Sequence, residues 1–123
     1  MAIDYKIEKE KLILAEERRL RRIFSKIEKK KKATIDGLIQ RAAFMRISLD
    51  ELEQDINIYG LTELFQQGDQ EPYKRKRPEA DLYNTMNTGY QKIIKQLTDL
   101  LPKEEAAKVD DGFNNFANGR EEI

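Results

Sequence analysis

Residues 35–59, IDGLIQRAAFMRISLDELEQDINIY, decide the fold because they carry an unbroken apolar seam. Its members follow one another at alternating steps of three and four residues: Ile35, Leu38, Ala42, Met45, Leu49, Leu52, Ile56 and Tyr59. Such steps keep side chains on one face of an α-helix. Ser48 followed by Glu51 also fits a capping box that would start a new helix. Because the seam stays in phase, we predict one continuous helix that ends at Gly60.

Two further helices are predicted on either side. The first runs from about residue 5 to 32 as one long helix, and Thr34 is a plausible N-cap for the helix that follows. The third begins at Pro78, which suits a first helical position, and ends at Pro102. Its apolar stripe consists of Leu82, Met86, Tyr90, Ile93, Leu97 and Leu100.

Residues 61–78 form a connector between the second and third helices. Its sequence fits a short β-hairpin that pairs residues 62–65 with 73–75 across a polar turn around Gly68. The predicted fold class is therefore all-α: long helices form a helical-hairpin core, with this small hairpin and a flexible acidic tail. The expected divisions are a basic N-terminal helical arm at 1–32, a helical assembly core at 33–102 and a disordered acidic tail at 103–123.

The apolar faces of the second and third helices are wider than a single helix pair needs, which favours an oligomer. We assign the seam of residues 35–59 to oligomerisation, together with Leu82, Met86, Tyr90, Ile93 and Leu97. A monomeric three-helix bundle is the alternative.

Charge is unevenly distributed although 23 basic and 23 acidic residues balance. Residues 1–32 hold twelve Lys/Arg and six Asp/Glu, whereas residues 103–123 hold three and six. This asymmetry predicts a basic arm for a polyanion and an acidic tail for a different partner. Solvated helix faces would give the same composition.

Two basic segments are candidates for binding DNA phosphates. The arm contributes Arg18, Arg19, Arg21, Arg22, Lys26, Lys29, Lys30, Lys31 and Lys32. The connector contributes Lys74, Arg75, Lys76 and Arg77, as a weaker candidate. In the tail, Asp110, Asp111, Phe113 and Phe116 resemble a short helix that folds on a protein partner, although a solvated tail is also open.

Catalysis is not expected. The chain has no cysteine and no histidine, which excludes thiolate zinc sites and nucleophile–base pairs that use them. No phosphate-binding Walker A sequence is present. Glu51 and Asp55 share a helix face and could hold a metal, but a solvated acidic face is the simpler interpretation. We expect no metal, no cofactor and no membrane span, and a reducing cytoplasm as the location.

The middle of the chain resembles the small terminase subunit of tailed bacteriophages, of the kind found in phages of low-GC Gram-positive bacteria. The resemblance covers roughly residues 35–116. It is carried by LIQRAAFM (38–45), SLDELEQDINIYG (48–60), LTELFQQ (61–67), LYNTMNTGYQKIIKQLTDLLP (82–102) and DDGFNNF (110–116).

The resemblance implies a ring-forming subunit in the cytoplasm of the infected bacterial host. Such a subunit would recognise double-stranded viral DNA and deliver it to the large terminase subunit, which has the ATPase and nuclease. Many small terminases have a separate N-terminal helix-turn-helix, whereas this chain has a basic helix there. DNA contact by an N-terminal reader, by the ring channel or by the connector therefore all stay open.

Two other functions are compatible with the same residues. A helical adaptor that binds only protein would use the seams for partner helices and the lysines for solubility. A small dimeric transcriptional regulator would need a compact recognition helix, which the sequence does not reveal. Closed-ring assembly favours packaging, whereas a monomer or dimer favours the adaptor.

Overall fold

Three long helices and one β-hairpin form the structure, a computed structural model that describes residues 2–108. The elements are α1 (Ala2–Ile23), a 3₁₀ turn (Lys29–Lys31), α2 (Lys32–Tyr59), β1 (Thr62–Phe65), β2 (Tyr73–Lys76) and α3 (Pro78–Asp99). The predominantly helical fold class is confirmed, and so is the small antiparallel hairpin.

Helix α2 is the centre of an antiparallel three-helix bundle. Tyr5 and Lys9 of α1 contact Glu51, so the start of α1 lies beside the second half of α2. Arg77, the residue just before α3, contacts Asp55, so the start of α3 also lies beside the second half of α2. Both α1 and α3 are therefore antiparallel to α2. Helix α2 has 28 residues and is about 42 Å long at 1.5 Å per residue.

The hydrophobic core draws on all three helices. Leu20, Ile39 and Leu97 are among its largest completely buried side chains. Ala42 and Ala43 of α2 are both 0% exposed. Because successive helical residues point about 100° apart, two adjacent buried alanines show that α2 is covered on two sides.

The predicted single helix over residues 5–32 is wrong. Helix α1 ends at Ile23, and the chain turns before the lysine run, which forms the 3₁₀ turn and the start of α2. Phe24 is 1% exposed and Ile27 is 6% exposed, so the turn places both in the core. A straight helix would have left the Phe24 and Ile27 side chains exposed to water. It would also have placed the charges of the lysine run close together on successive helical positions. The segment is thus part of the bundle instead of a separate arm.

The seam of residues 35–59 does form one continuous helix, as predicted. Helix α2 continues without a break through Ser48, which excludes a new helix start there. Gly60 ends it with φ of 82° and donates its N–H to the Ile56 carbonyl. The predicted N-cap at Thr34 is wrong, because α2 begins at Lys32 and no side chain caps it.

The hairpin and α3 begin where the sequence placed them. Thr62 pairs with Lys76 and Phe65 with Tyr73, and Pro78 opens α3. Helix α3 ends at Asp99, before Pro102. Residues 103–108 are helical and not disordered as predicted. Ala106 of this helix packs against the core, which provides the physical reason.

A cluster of Tyr5, Lys9 and Glu51 joins the beginning of α1 to α2. Lys9 Nζ lies 2.8 Å from a Glu51 carboxylate oxygen and 4.9 Å from the centre of the Phe44 ring. Burial alone would raise the pKa of Glu51, but hydrogen bonds from Lys9 and Tyr5 and the Lys9 charge outweigh it. The pKa of Glu51 therefore lies below its ordinary value, and the carboxylate stays charged beside its partners.

Candidate nucleic-acid interface

The strongest concentration of charge is the basic corner, which we define as residues 18–32. It comprises the last turns of α1, the chain reversal at residues 24–28, the 3₁₀ turn and the first residue of α2. It contains nine Lys/Arg and one acidic residue, Glu28. Within residues 2–108, six of these cations are exposed and form no ion pair: Arg18, Arg22, Lys26, Lys29, Lys31 and Lys32.

The other three predicted cations of this segment have carboxylate neighbours. The Arg19 guanidinium donates to both Glu16 carboxylate oxygens, at 2.5 and 2.8 Å, and these hydrogen bonds raise the pKa of Arg19. Arg21 lies 2.5 Å from Asp36 of α2 and therefore joins two helices. Lys30 lies 3.6 Å from Glu28, but its side chain is largely exposed. Arg19 and Arg21 thus contribute to the fold at least as much as to the surface charge.

Helix ends add to the electrostatics of the corner. The first turn of α2 has no acidic residue and no side-chain cap, so no carboxylate there offsets the lysines, although the Lys32 N–H already donates to the Lys29 carbonyl of the 3₁₀ turn. The N-terminal end of a helix carries a partial positive charge. Lysines there repel that charge, and a bound anion would relieve the repulsion.

A cleft of about 260 Å³ opens in the basic corner between the turn and the start of α2. Its apolar walls are Phe24, Ile27, Ile35 and Ile39. Its polar lining is Arg21, Ser25, Lys29, Lys32 and Asp36. Sequence reasoning did not find this cleft, because it arises from the chain reversal that the sequence pattern does not reveal.

The connector run from Lys74 to Arg77 consists of three exposed cations and one buried one, Arg77. Arg77 is 8% exposed, and its guanidinium donates to Asp55 at 2.8 Å and to the Gly60 carbonyl at 2.7 Å. The Asp55 hydrogen bond is the main cause of a raised Arg77 pKa. Arg77 therefore ties the end of α2 to the start of α3 and is not free to bind DNA.

The remaining members of this run differ in their surroundings. Arg75 lies 2.9 Å from Glu63 across the hairpin and stacks over the Phe65 ring at 3.5 Å. Lys76 lies 2.7 Å from Asp81 of α3. Lys74 alone in the run has no ion pair among residues 2–108. Only the tertiary structure distinguishes the paired cations from the unpaired one, since the run looks uniform in sequence.

Most of the predicted oligomerisation residues pack inside the chain. Nine of the thirteen lie in the core or against it: Ile35, Leu38, Ala42, Met45, Leu49, Met86, Tyr90, Ile93 and Leu97. Leu52 and Ile56 are partly buried, whereas Tyr59 and Leu82 are 67% and 58% exposed. Only the last two leave most of their surface exposed.

Tyr59 and Leu82 belong to a larger apolar surface that the sequence analysis did not identify. We define the hairpin end as the last residues of α2, the short link that follows them, both strands and the first turns of α3. Six large apolar side chains are exposed there: Ile58, Tyr59, Leu61, Leu64, Tyr73 and Leu82. Both strands of the two-stranded sheet also keep an open edge.

The acidic residues of α2 are engaged in ion pairs. Asp50 lies 3.7 Å from Arg46, Glu51 pairs with Lys9, and Asp55 pairs with Arg77. No group of three or more metal-binding side chains occurs within residues 2–108. These three carboxylates have cation partners within the chain and remain partly exposed. The predicted tail residues Asp110, Asp111, Phe113 and Phe116 lie outside the described residues.

Arg77→Ala is expected to destabilise the fold, because it leaves Asp55 and the Gly60 carbonyl without their buried donor. The midpoint of urea unfolding, followed by circular dichroism, should fall clearly. Lys74→Ala is the control, since it removes an exposed cation from the same basic run, and it should leave the midpoint unchanged. Equal midpoints for the two variants would contradict the structural role of Arg77.

No helix within residues 2–108 has the length and apolar character needed to cross a membrane. No protein-family model, curated protein or solved structure matches this chain.

Proposed function

We propose that this chain binds double-stranded DNA through the basic corner and acts as a small terminase subunit, which assembles and delivers viral DNA to the large terminase subunit. One observation carries the proposal: six exposed cations that form no ion pair with any residue of 2–108 gather where α1 turns into α2. The packaging role rests additionally on the resemblance of residues 35–116 to small terminases.

The chemistry of the corner suits phosphate more than base recognition. Arg18 and Arg22 are one helical turn apart on α1, and the lysines follow on the adjoining turn. Flexible lysines provide charge without the planar geometry that reads a base edge. The proposed contact is therefore largely independent of DNA sequence and depends strongly on salt.

Assembly would multiply these weak contacts. Several subunits held together bind one duplex with a high effective concentration after the first contact. The hairpin end is the proposed subunit interface, because it exposes six large apolar side chains and two open strand edges. A two-stranded hairpin is marginally stable alone, and packing against a second copy would stabilise it.

The two proposed surfaces lie at opposite ends of the bundle. The basic corner includes the start of α2, and the hairpin end includes its finish, about 42 Å away. Subunits that join through the hairpin end would therefore keep their basic corners accessible to DNA. The proposal leaves residues 110–116 for the large subunit, as the resemblance implies.

A protein-binding adaptor is the second candidate, and one observation favours it. Ile3, Ile7 and Leu14 of α1 are exposed and share one face of that helix, at spacings of four and seven residues. Such a strip is typical of a helix that docks on another protein. This function needs neither the basic corner nor the hairpin end, so the following experiments separate the two.

Arg18→Ala/Arg22→Ala is expected to weaken the binding of a DNA duplex and to flatten its salt dependence. Each lost phosphate contact reduces the slope of log K against log salt by about 0.9, so two contacts reduce it by about 1.8 per subunit. A mobility-shift series across salt concentrations measures both quantities.

Lys92→Ala/Lys95→Ala is the matched control, since it also removes two exposed positive charges from a helix. Its slope should equal that of the unchanged protein. A slope that falls equally in both variants would show a diffuse charge effect and would contradict the basic corner as the contact. Absence of DNA binding in the unchanged protein would favour the adaptor.

Leu64→Glu/Leu82→Glu is expected to break the assembly into smaller species, because it places charges in the apolar hairpin end. Light scattering measures the mass of the particle, and circular dichroism checks that the helices persist. Ile7→Glu/Leu14→Glu adds the same charge to exposed positions of α1 and should leave the mass unchanged. A monomeric unchanged protein, or dissociation only by the α1 pair, would refute the hairpin end as the interface.

A further inference from the structure

The β-hairpin lies outside the core of the bundle. No residue of β1 or β2 is buried, and neither strand packs extensively against a helix. A two-stranded hairpin is marginally stable unless it packs against a helix or gains further strands. Additional strands would therefore stabilise this hairpin.

The hydrogen-bond register shows which backbone groups are free on each edge of the hairpin. The Arg77 N–H donates to the Leu61 carbonyl at 2.9 Å, which makes these two residues a hydrogen-bonded pair that continues the antiparallel ladder. Such pairs alternate along a ladder with pairs whose N–H and C=O groups point away from the partner strand. The outward-pointing groups belong to Thr62 and Leu64 in β1 and to Lys74 and Lys76 in β2.

The two edges differ in charge. The β2 edge carries Lys74 and Lys76, so pairing between two β2 strands would align like charges. The β1 edge carries no charge at its outward positions, and its Leu64 is 69% exposed. The one charged residue of β1 is Glu63, which pairs with Arg75 of its own chain at 2.9 Å. The β1 edge is therefore the edge that can pair with a copy of itself without charge repulsion.

We propose that the β1 strands of two copies pair antiparallel and join the two hairpins into one four-stranded sheet. Each Leu64 lies opposite Leu64 of the second copy, and the two residues exchange two backbone hydrogen bonds. The strand order is β2–β1–β1–β2, with a two-fold axis between the two leucines. This inference rests on the proposed assembly through the hairpin end, to which it adds the strand, the register and the symmetry.

Charge complementarity favours the register centred on Leu64. It places Glu63 of each copy opposite Phe65 of the other copy, and Arg75 stacks over that ring at 3.5 Å. Each Glu63 carboxylate is then close to the Arg75 guanidinium of both copies. The neighbouring register, centred on Glu63, places two carboxylates directly opposite each other, which is destabilising.

Disulfide trapping tests this pairing, and the chain suits it because it contains no cysteine. Opposite residues of a hydrogen-bonded antiparallel pair have Cα atoms about 5.5 Å apart, and a disulfide spans about 4.4–6.8 Å. Leu64→Cys should therefore form a covalent dimer on mild oxidation, measured by non-reducing electrophoresis. Lys74→Cys is the matched control, since it places a thiol on the outer edge of β2, and its dimer should form several-fold more slowly. Equal rates for the two variants would overturn the proposal.

Two further measurements test the register and the symmetry. Thr62→Cys should also dimerise more slowly than Leu64→Cys, because residue 62 lies opposite residue 66 of the second copy. In an equal mixture of ¹⁵N-labelled Leu64→Cys and unlabelled Lys74→Cys, the main covalent product should be the Leu64→Cys homodimer. A mixed dimer as the main product would show head-to-tail pairing of β1 with β2 and would refute the two-fold sheet.

DNA binding distinguishes a failure of this pairing from a failure of the proposed function. Circular dichroism first confirms that each cysteine variant is folded. DNA binding without a Leu64→Cys dimer would refute the strand pairing and leave the basic corner as the DNA contact. A Leu64→Cys dimer that binds no DNA would support the pairing and refute the proposed DNA binding.

Discussion

The fold depends on the requirement that α2 be covered on two sides at once. Ala42 and Ala43 are completely buried, and their small side chains allow close packing on both faces of α2. The covering helices are antiparallel to α2, with Leu20 and Leu97 completely buried in the shared core. Larger side chains at the two alanines would force the neighbouring helices apart, at a cost of about 1–3 kcal/mol each. The apolar seam is consequently used within the chain, and little of it is left for assembly.

The same packing determines which cations have carboxylate partners and where the other cations lie. Burial of Phe24 and Ile27 reverses the chain and gathers the surrounding cations at one end. Cations that hold elements together have carboxylate partners: Arg21 has Asp36, and Arg77 has Asp55. Arg18 and Arg22 have no such partner in the part of the chain that the structure describes, and their exposed charges can attract a polyanion. The opposite end carries exposed apolar side chains, so the charged and the apolar surfaces lie at different ends of the molecule.

Local signals in the sequence were sufficient to predict α2, the hairpin and the start of α3. Helical periodicity, Gly60 and Pro78 act within a few residues, and tertiary packing did not override them. The turn after Ile23 was missed because Phe24 and Ile27 continue the helical spacing, and only their burial against α2 reveals the reversal. Periodicity shows that a helix face is covered but not what covers it, which is why the seam suggested oligomerisation.

Arg77 illustrates the limit for the candidate site. Within Lys74 to Arg77 it looks like its neighbours, and its partner Asp55 lies 22 residues away in sequence. The concentration of basic residues is visible in the sequence, but the division into paired and unpaired cations needed the structure. Ion pairing depends on which helix faces which, and composition alone carries no such information.

The central claim is that DNA contacts the basic corner, and lysine footprinting tests it most directly. The protein is acetylated with and without a saturating DNA duplex, and mass spectrometry measures the modification of each lysine. The account predicts that DNA protects Lys26, Lys30 and Lys31, whereas Lys74, Lys92 and Lys95 stay reactive. Protection centred on Lys74, or equal protection of all six lysines, would contradict it.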